Sequence, residues 1–211
     1  MQKIPPVTLA LLIANVTIFL LQQAGGDYLL AHFALWPLGD PQRMRLEDGS
    51  SALVGFKLWQ LITYGFLHGN FWHIAFNMFT FWMFAGQVEI ALGARRYIIY
   101  YLVCVVGAAC TQLAFIHFFK PGDFYPTVGA SGGVFGLLIA FAMIYPSARI
   151  ASLYFPIPIP APFAIAIFIA IEMFMGVTGT QEGVAHFAHL GGALAGFVLL
   201  RAWRARLLRR E

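Results

Sequence analysis

Apolar residues fall in long runs along this chain, and the polar positions between them set the elements. Six runs stand out: Val7 to Leu21, Phe66 to Leu92, Tyr97 to Phe119, Ala130 to Tyr145, Pro162 to Met175 and Gly183 to Trp203. Each approaches the roughly 20 residues an α-helix needs to cross a bilayer. The pattern predicts an all-α, polytopic membrane protein, a bundle of six transmembrane helices forming one domain over residues 1–211. The fourth run is short, spanning only ~24 Å of a ~30 Å hydrocarbon core at ~1.5 Å per residue. Its first residues are therefore expected below the membrane surface, with the irregular Pro121 to Val128 stretch above them lining a water-filled cavity.

The connectors differ in character. From Gln23 to Lys57 the chain is mixed, with Asp27, Asp40, Arg43, Arg45, Glu47 and Asp48 among the apolar pieces Tyr28 to Pro37 and Leu53 to Leu58. A loop partly embedded in the interface, with short helices, is expected there. The alternate prolines of Phe155-Pro156-Ile157-Pro158-Ile159-Pro160-Ala161-Pro162 exclude a helix and predict extended chain. The first run follows a single Lys3 and precedes Ala24-Gly25-Gly26, which resembles a signal-peptide cleavage site; the thin charge before it favours a retained span.

Composition excludes a soluble domain: 60% of residues are hydrophobic and 10% charged, against about 25% charged in soluble proteins. The formal net charge of +4 is no nucleic-acid footprint, because five of the thirteen Lys and Arg (Arg201, Arg204, Arg206, Arg209 and Arg210) sit in a terminal tail. Six spans put both termini on one side, and the tail makes that side cytoplasmic. Lys3, Arg95, Arg96 and Arg149 then join the tail inside, while Asp27, Asp40, Glu47, Asp48, Asp123 and Glu182 fall outside. Glu89 with Arg95 or Arg96 reads as a charge arrangement at the inner helix end. Cys104 and Cys110, six apart on different faces of one helix, read as buried small hydrophobes with no disulfide or metal motif.

The second, fourth and sixth runs all travel from outside to inside and carry their polar residues in the first third: His68, His73 and Asn77; Ser131; His186 and His189. Polar groups at membrane depth are costly and face a bundle interior or a water-filled cavity. Ser131, within Gly129-Ala130-Ser131-Gly132-Gly133, has two readings. The small residues serve close helix packing, or the serine is a nucleophile above free helix N–H groups that stabilise an oxyanion. Gly192 and Gly196 follow His189 on nearly its own face, so the packing that joins the two glycine-rich helices also brings His189 toward Ser131. His189 is then the general base. His73 and Asn77, four apart on one helix face, are candidate oxyanion donors beside the Ser131 N–H. No carboxylate is placed to orient the histidine, since Asp123 lies in a loop and Glu172 has no evident partner. A Ser131–His189 dyad is expected. Periodicity alone does not choose His189 over His186. A metal or haem site built from His68, His73, His186 and His189 is the competing chemistry, but it leaves Ser131 and Asn77 unexplained.

These residues resemble the rhomboid family of intramembrane serine proteases. Gly129-Ala130-Ser131-Gly132 resembles its GxSG motif, Ala188-His189-Leu190-Gly191-Gly192 with Gly196 its AHxxG and GxxxG region, and His68 through His73 to Asn77 its HxxxxHxxxN stretch. Gly86, Glu89 and Gly93 resemble the inner end of its second helix. The resemblance runs from about Trp59 to Gly196 with the motifs in order. It implies Ser131 as nucleophile, His189 rather than His186 as base, and His73, Asn77 and the Ser131 N–H as oxyanion hole, with Gly129, Gly132, Phe135, Gly192 and Gly196 in support. It also implies single-span membrane proteins as substrates, no metal or other cofactor, a laterally inserted first loop and a mobile fifth span. The site would open to the extracytoplasmic side of a bacterial inner membrane. His68 is then structural, and His32 and His117 interfacial. Two positions depart from the pattern. Gln60 follows Trp59 where arginine is common, putting anchoring of the first loop there in doubt, and Phe135 stands where a tyrosine often packs on the catalytic histidine. A catalytically inactive relative that binds membrane segments is the remaining alternative.

Overall fold

Each of the six apolar runs carries a helix in the computed structural model, which describes residues 3–150, 158–179 and 184–208. Helix α1 covers Pro6–Phe33, strands β1 and β2 Gln42–Arg45 and Ser51–Val54, and α2 Gln60–Thr63, running into a 3-10 turn at Tyr64–Phe66. Then come α3 (Phe71–Leu92), α4 (Ala94–Phe119), α5 (Ser131–Ile144), the two-residue strands β3 (Arg149–Ile150) and β4 (Ile159–Pro160), α6 (Ala161–Thr178) and α7 (His186–Leu208). Among the described residues, Pro6–Gly25, α4 and α6 are long and apolar enough to cross a membrane, and α5 is a shorter apolar helix.

The first helix runs past its expected end at Leu21. Gly25 and Gly26 lower helix propensity without breaking a helix as proline does, and no proline occurs until Pro37. The connector that follows holds the expected short helix but also an unforeseen hairpin. β1 and β2 pair antiparallel with Gln42 opposite Val54 and Arg45 opposite Ser51. Four residues per strand give too brief an alternation to be read as β in advance. Trp36, Ala31 and Val54 form a small buried cluster beneath the hairpin, and Phe124 stacks on Trp36 at 5.2 Å.

Gln60 removes the doubt attached to it. Its Oε1 accepts from the N–H groups of Lys57 (3.1 Å) and Trp36 (3.3 Å), and its Nε2 donates to the carbonyls of Gly55 (3.1 Å) and His32 (3.4 Å). Trp59 Nε1 and Thr63 Oγ1 donate to the carbonyls of His32 and Phe33, the last of α1. Helix ends leave such carbonyls without partners, so this short segment both caps α1 and fixes the first loop without an arginine.

Glu89 corrects a second expectation. It is buried, and its carboxylate accepts from the N–H groups of Val7 (3.1 Å) and Thr8 (2.6 Å) and from the Thr8 hydroxyl (2.7 Å). It therefore caps the N-terminus of α1, where free N–H groups and the helix dipole favour an anion; Arg95 and Arg96 stay exposed. The cysteines also divide: Cys104 is buried as expected and Cys110 is exposed, both as free thiols.

The interior is organised on α4, α5 and α7. A side chain at Gly132 would meet Ala108 of α4, one at Gly136 would meet Cys104, and one at Gly192 would meet the backbone of Gly132. Tyr100 donates from α4 to the Gly136 carbonyl at 2.6 Å and Tyr64 to the Val105 carbonyl at 2.8 Å. Lipid tails are as apolar as a protein core, so packing of small residues is what binds helices together in a membrane. The outer face of α3 bears exposed Trp72, Phe76, Phe79 and Trp82, as a lipid-facing surface requires. Beyond α5, Ile159–Pro160 is extended as predicted and pairs with Arg149–Ile150. Residues 155–157, Glu182, Arg209 and Arg210 lie outside the described residues.

Candidate active site

Ser131 is the first residue of α5, so its own N–H and those of Gly132 and Gly133 have no partner within the helix. Gly129 shapes the approach. Its φ is +127°, a conformation few side chains tolerate, and its N–H donates to the Tyr64 carbonyl. An added Cβ there would come within 2.7 Å of His73 Nε2 and 3.5 Å of Ser131 Oγ. The His73 imidazole and the Ser131 hydroxyl thus flank one bare glycine. The Thr127–Leu35 bridge, bonded in both directions, holds the preceding strand of chain to the start of the first loop, just after α1.

His73 is set by α3. Asn70 caps this helix by accepting from the His73 N–H at 2.9 Å, a signal present in the sequence but unread. The Gly69 N–H approaches His73 Nδ1 at 3.4 Å, which makes Nδ1 an acceptor and leaves the ring proton of neutral His73 on Nε2, beside Gly129. Asn77 is buried and spends one amide N–H on the His73 carbonyl at 3.0 Å; the second remains as a donor. His68 is buried against His73, ring centroids 5.1 Å apart, and its backbone pairs with the Gln22 side chain in both directions. That agrees with a structural role for it. His32 and His117 are exposed, as expected of interfacial residues.

His189, on the first turn of α7, is buried and stacks on Phe135 with centroids 4.7 Å apart and planes 5° from parallel. Phe135 stands one turn after Ser131, so the phenyl ring fulfils the packing its position implied. No hydrogen bond joins Ser131 to His189 among the described residues; such contacts are often loose before substrate binds. What brings α5 and α7 together is Gly192 against the Gly132 backbone, with Gly136 facing the Gly192 carbonyl and Gly196 against Tyr100 and Cys104.

Glu172 overturns the expectation that no carboxylate is placed near the histidine. From α6, its Oε2 lies 2.7 Å from His189 Nδ1 and 2.6 Å from His186 Nδ1. The spacing of His186 and His189 on α7 was legible. That a glutamate from another helix lies between them was not, because no local periodicity relates α6 to α7.

Glu172, His186 and His189 are also the described residues that offer three ligand atoms close enough for a metal ion. Their Nδ1···Oε2 distances are those of direct hydrogen bonds. The four-histidine metal site does not form as one group, since His68 and His73 lie outside this cluster.

Comparison with known proteins identifies the family of the chain. A sequence model of the Rhomboid domain matches residues 55–206. Rhomboid protein 1, mitochondrial, of Saccharomyces cerevisiae is 29% identical over 178 residues, 82% of this chain and 50% of that protein. Rhomboid protease GlpG of Photorhabdus laumondii is 28% identical over 205 residues, 95% of this chain and 62% of its own length. Presenilin-associated rhomboid-like protein, mitochondrial, of Bos taurus is 28% identical over 165 residues, 78% and 43% of the two chains. The chain therefore spans about half the length of these relatives. With the matched region running from the first loop through α7 and taking in Ser131, His189, His73 and Asn77, the chain belongs to the rhomboid family.

Proposed function

We propose that this protein is an intramembrane serine protease that hydrolyses a peptide bond in or near the transmembrane segment of single-span membrane proteins. The observation that carries the reading is the setting of His189. Phe135 stacks on its face and Nδ1 is engaged by Glu172, so on this reading Nε2 serves Ser131, one turn before Phe135. In the proposed reaction His189 Nε2 takes the Ser131 proton as Oγ attacks the scissile carbonyl, and returns it to the leaving amine. The oxyanion is met by the Ser131 N–H, His73 Nε2–H and the free N–H of Asn77. Water then hydrolyses the acyl-enzyme by the same exchange.

On this reading the six apolar helices all span the membrane with both termini cytoplasmic, and the site opens to the extracytoplasmic face of a bacterial inner membrane. The test is cleavage of a model single-span substrate in liposomes by the parent, Ser131→Ala and His189→Ala. Each variant is expected to lose about 10³-fold or more in kcat/KM. A fluorophosphonate should label the parent and spare Ser131→Ala. Equal cleavage by all three would refute the assignment.

A further inference from the structure

Glu172 is the sole charged residue among the eighteen of α6. A carboxylate in so apolar a helix is costly and calls for a specific partner. Here it has two, His186 and His189 of α7, each aiming Nδ1 at the same Oε2. Gly176, one turn further along α6, admits the close approach: a Cβ there would lie 3.0 Å from the Cβ of His186 and 3.3 Å from the Phe187 ring. The reach of Glu172 is thus prepared by both helices.

We infer that Glu172 is the positioning residue of the catalytic base, completing a Ser131–His189–Glu172 relay whose carboxylate is in turn aimed by His186. The inference rests on the serine-protease reading of Ser131 and His189. An Nδ1–H donated to Glu172 keeps the proton of neutral His189 on that nitrogen, so Nε2 carries the lone pair that receives the Ser131 proton. When it does, the imidazolium forms next to a carboxylate in a partly buried site, and their attraction stabilises the pair. The ring cannot rotate, because Phe135 holds its face and Glu172 its edge. His186, buried at 4% exposure, occupies the other lone pair of Oε2 and so fixes which way the carboxylate points. Among the described residues these two histidines are the ionisable groups bonded to Glu172.

The experiment compares the parent, Glu172→Gln, Glu172→Asp, Glu172→Ala, His186→Gln and Ser131→Ala in liposomes. It reads kcat and KM separately for a model single-span substrate, the rate of fluorophosphonate labelling, and the thermal midpoint of each protein. A positioning role predicts that Glu172→Gln and Glu172→Ala lose about 10²- to 10⁴-fold in kcat and in labelling rate with KM within about threefold. Glu172→Asp should recover part of the loss, and His186→Gln should lose about tenfold. Histidine proton NMR gives a readout independent of turnover: a low-field Nδ1–H resonance in the parent, moved upfield in Glu172→Gln. Retention of kcat within twofold in a folded Glu172→Gln, or a loss confined to KM or to the thermal midpoint, overturns the relay while leaving the protease intact. A parent that neither cleaves nor labels, or that does so equally without Ser131, overturns both.

Discussion

At the scale of single residues, the site depends on side chains that fix other side chains. Phe135 illustrates this. Parallel stacking on His189 is a packing interaction worth about 1 kcal/mol beyond buried area, but its larger effect is to hold the ring plane. Phe135→Ala is expected to lower kcat by at least tenfold with a smaller change in stability, and Phe135→Tyr to retain most activity, as measured by cleavage in liposomes. In the proposed reaction His73 and Asn77 act on the transition state alone. His73→Ala and Asn77→Ala are each expected to cost about 10²-fold in kcat, with labelling of Ser131 slowed in parallel. Gln60 is the residue on which the first loop turns. Its four bonds are all to backbone groups, so Gln60→Ala leaves buried N–H and C=O groups unpaired. A loss of about 2 kcal/mol or more follows. Gln60→Glu retains the acceptor and loses the donor, so its thermal midpoint should fall between those of the parent and Gln60→Ala.

At the scale of elements, two junctions decide whether the helices assemble. The first is Glu89 on α3 against the start of α1, with three bonds to one buried carboxylate. Glu89→Ala strips α1 of its cap and is expected to destabilise the protein by about 3 kcal/mol, with Glu89→Gln intermediate. Retention of the parent thermal midpoint by Glu89→Ala would refute the capping role. The second is Gly192 against the Gly132 backbone. Because the neighbour is main chain, nothing yields to a larger residue, and Gly192→Val is expected to cost about 3 kcal/mol or more and to abolish activity by parting His189 from Ser131. These junctions also mark where the sequence stops being legible. The apolar runs gave the helices, and glycines four apart gave the α5–α7 seam, because both are local patterns repeated at helical spacing. Glu172 was visible as an acid without a partner and Glu89 was read with Arg95 or Arg96, yet their true partners lie on other helices, those of Glu89 about eighty residues away. The α1 extension and the hairpin were missed because weak propensities there yield to tertiary support from Gln60, Trp36 and Phe124.

At the scale of the whole molecule, Arg95, Arg96, Arg201 and Arg204 gather away from the end that holds Ser131. The first loop is tied by the Leu35–Thr127 bridge to the end of the bundle where α5 begins, so the hairpin and Ser131 share one end. The start of α1 is tied by Glu89 to the end of α3, next to Arg95 and Arg96, so those basic residues mark the other end. Arg201 and Arg204 lie on the last turns of α7, which begins near Ser131 with His186 and His189 and runs away from it. Lys and Arg retained in the cytoplasm orient a membrane protein, so this distribution predicts the basic end inside and the end that holds Ser131 outside. The arrangement predicts the outcome of site-directed labelling in a background lacking Cys104 and Cys110. Asp48→Cys, in the exposed turn of the hairpin, should react with a membrane-impermeant maleimide on intact cells. Arg95→Cys, exposed at the opposite end, should react only after permeabilisation. The reverse pattern would invert the orientation and move proteolysis to the cytoplasmic face, since Ser131 follows the hairpin through the Leu35–Thr127 bridge. Reaction of both on intact cells would mean that the bundle does not separate its two ends across a bilayer, and the positive-inside argument would then fail for this chain.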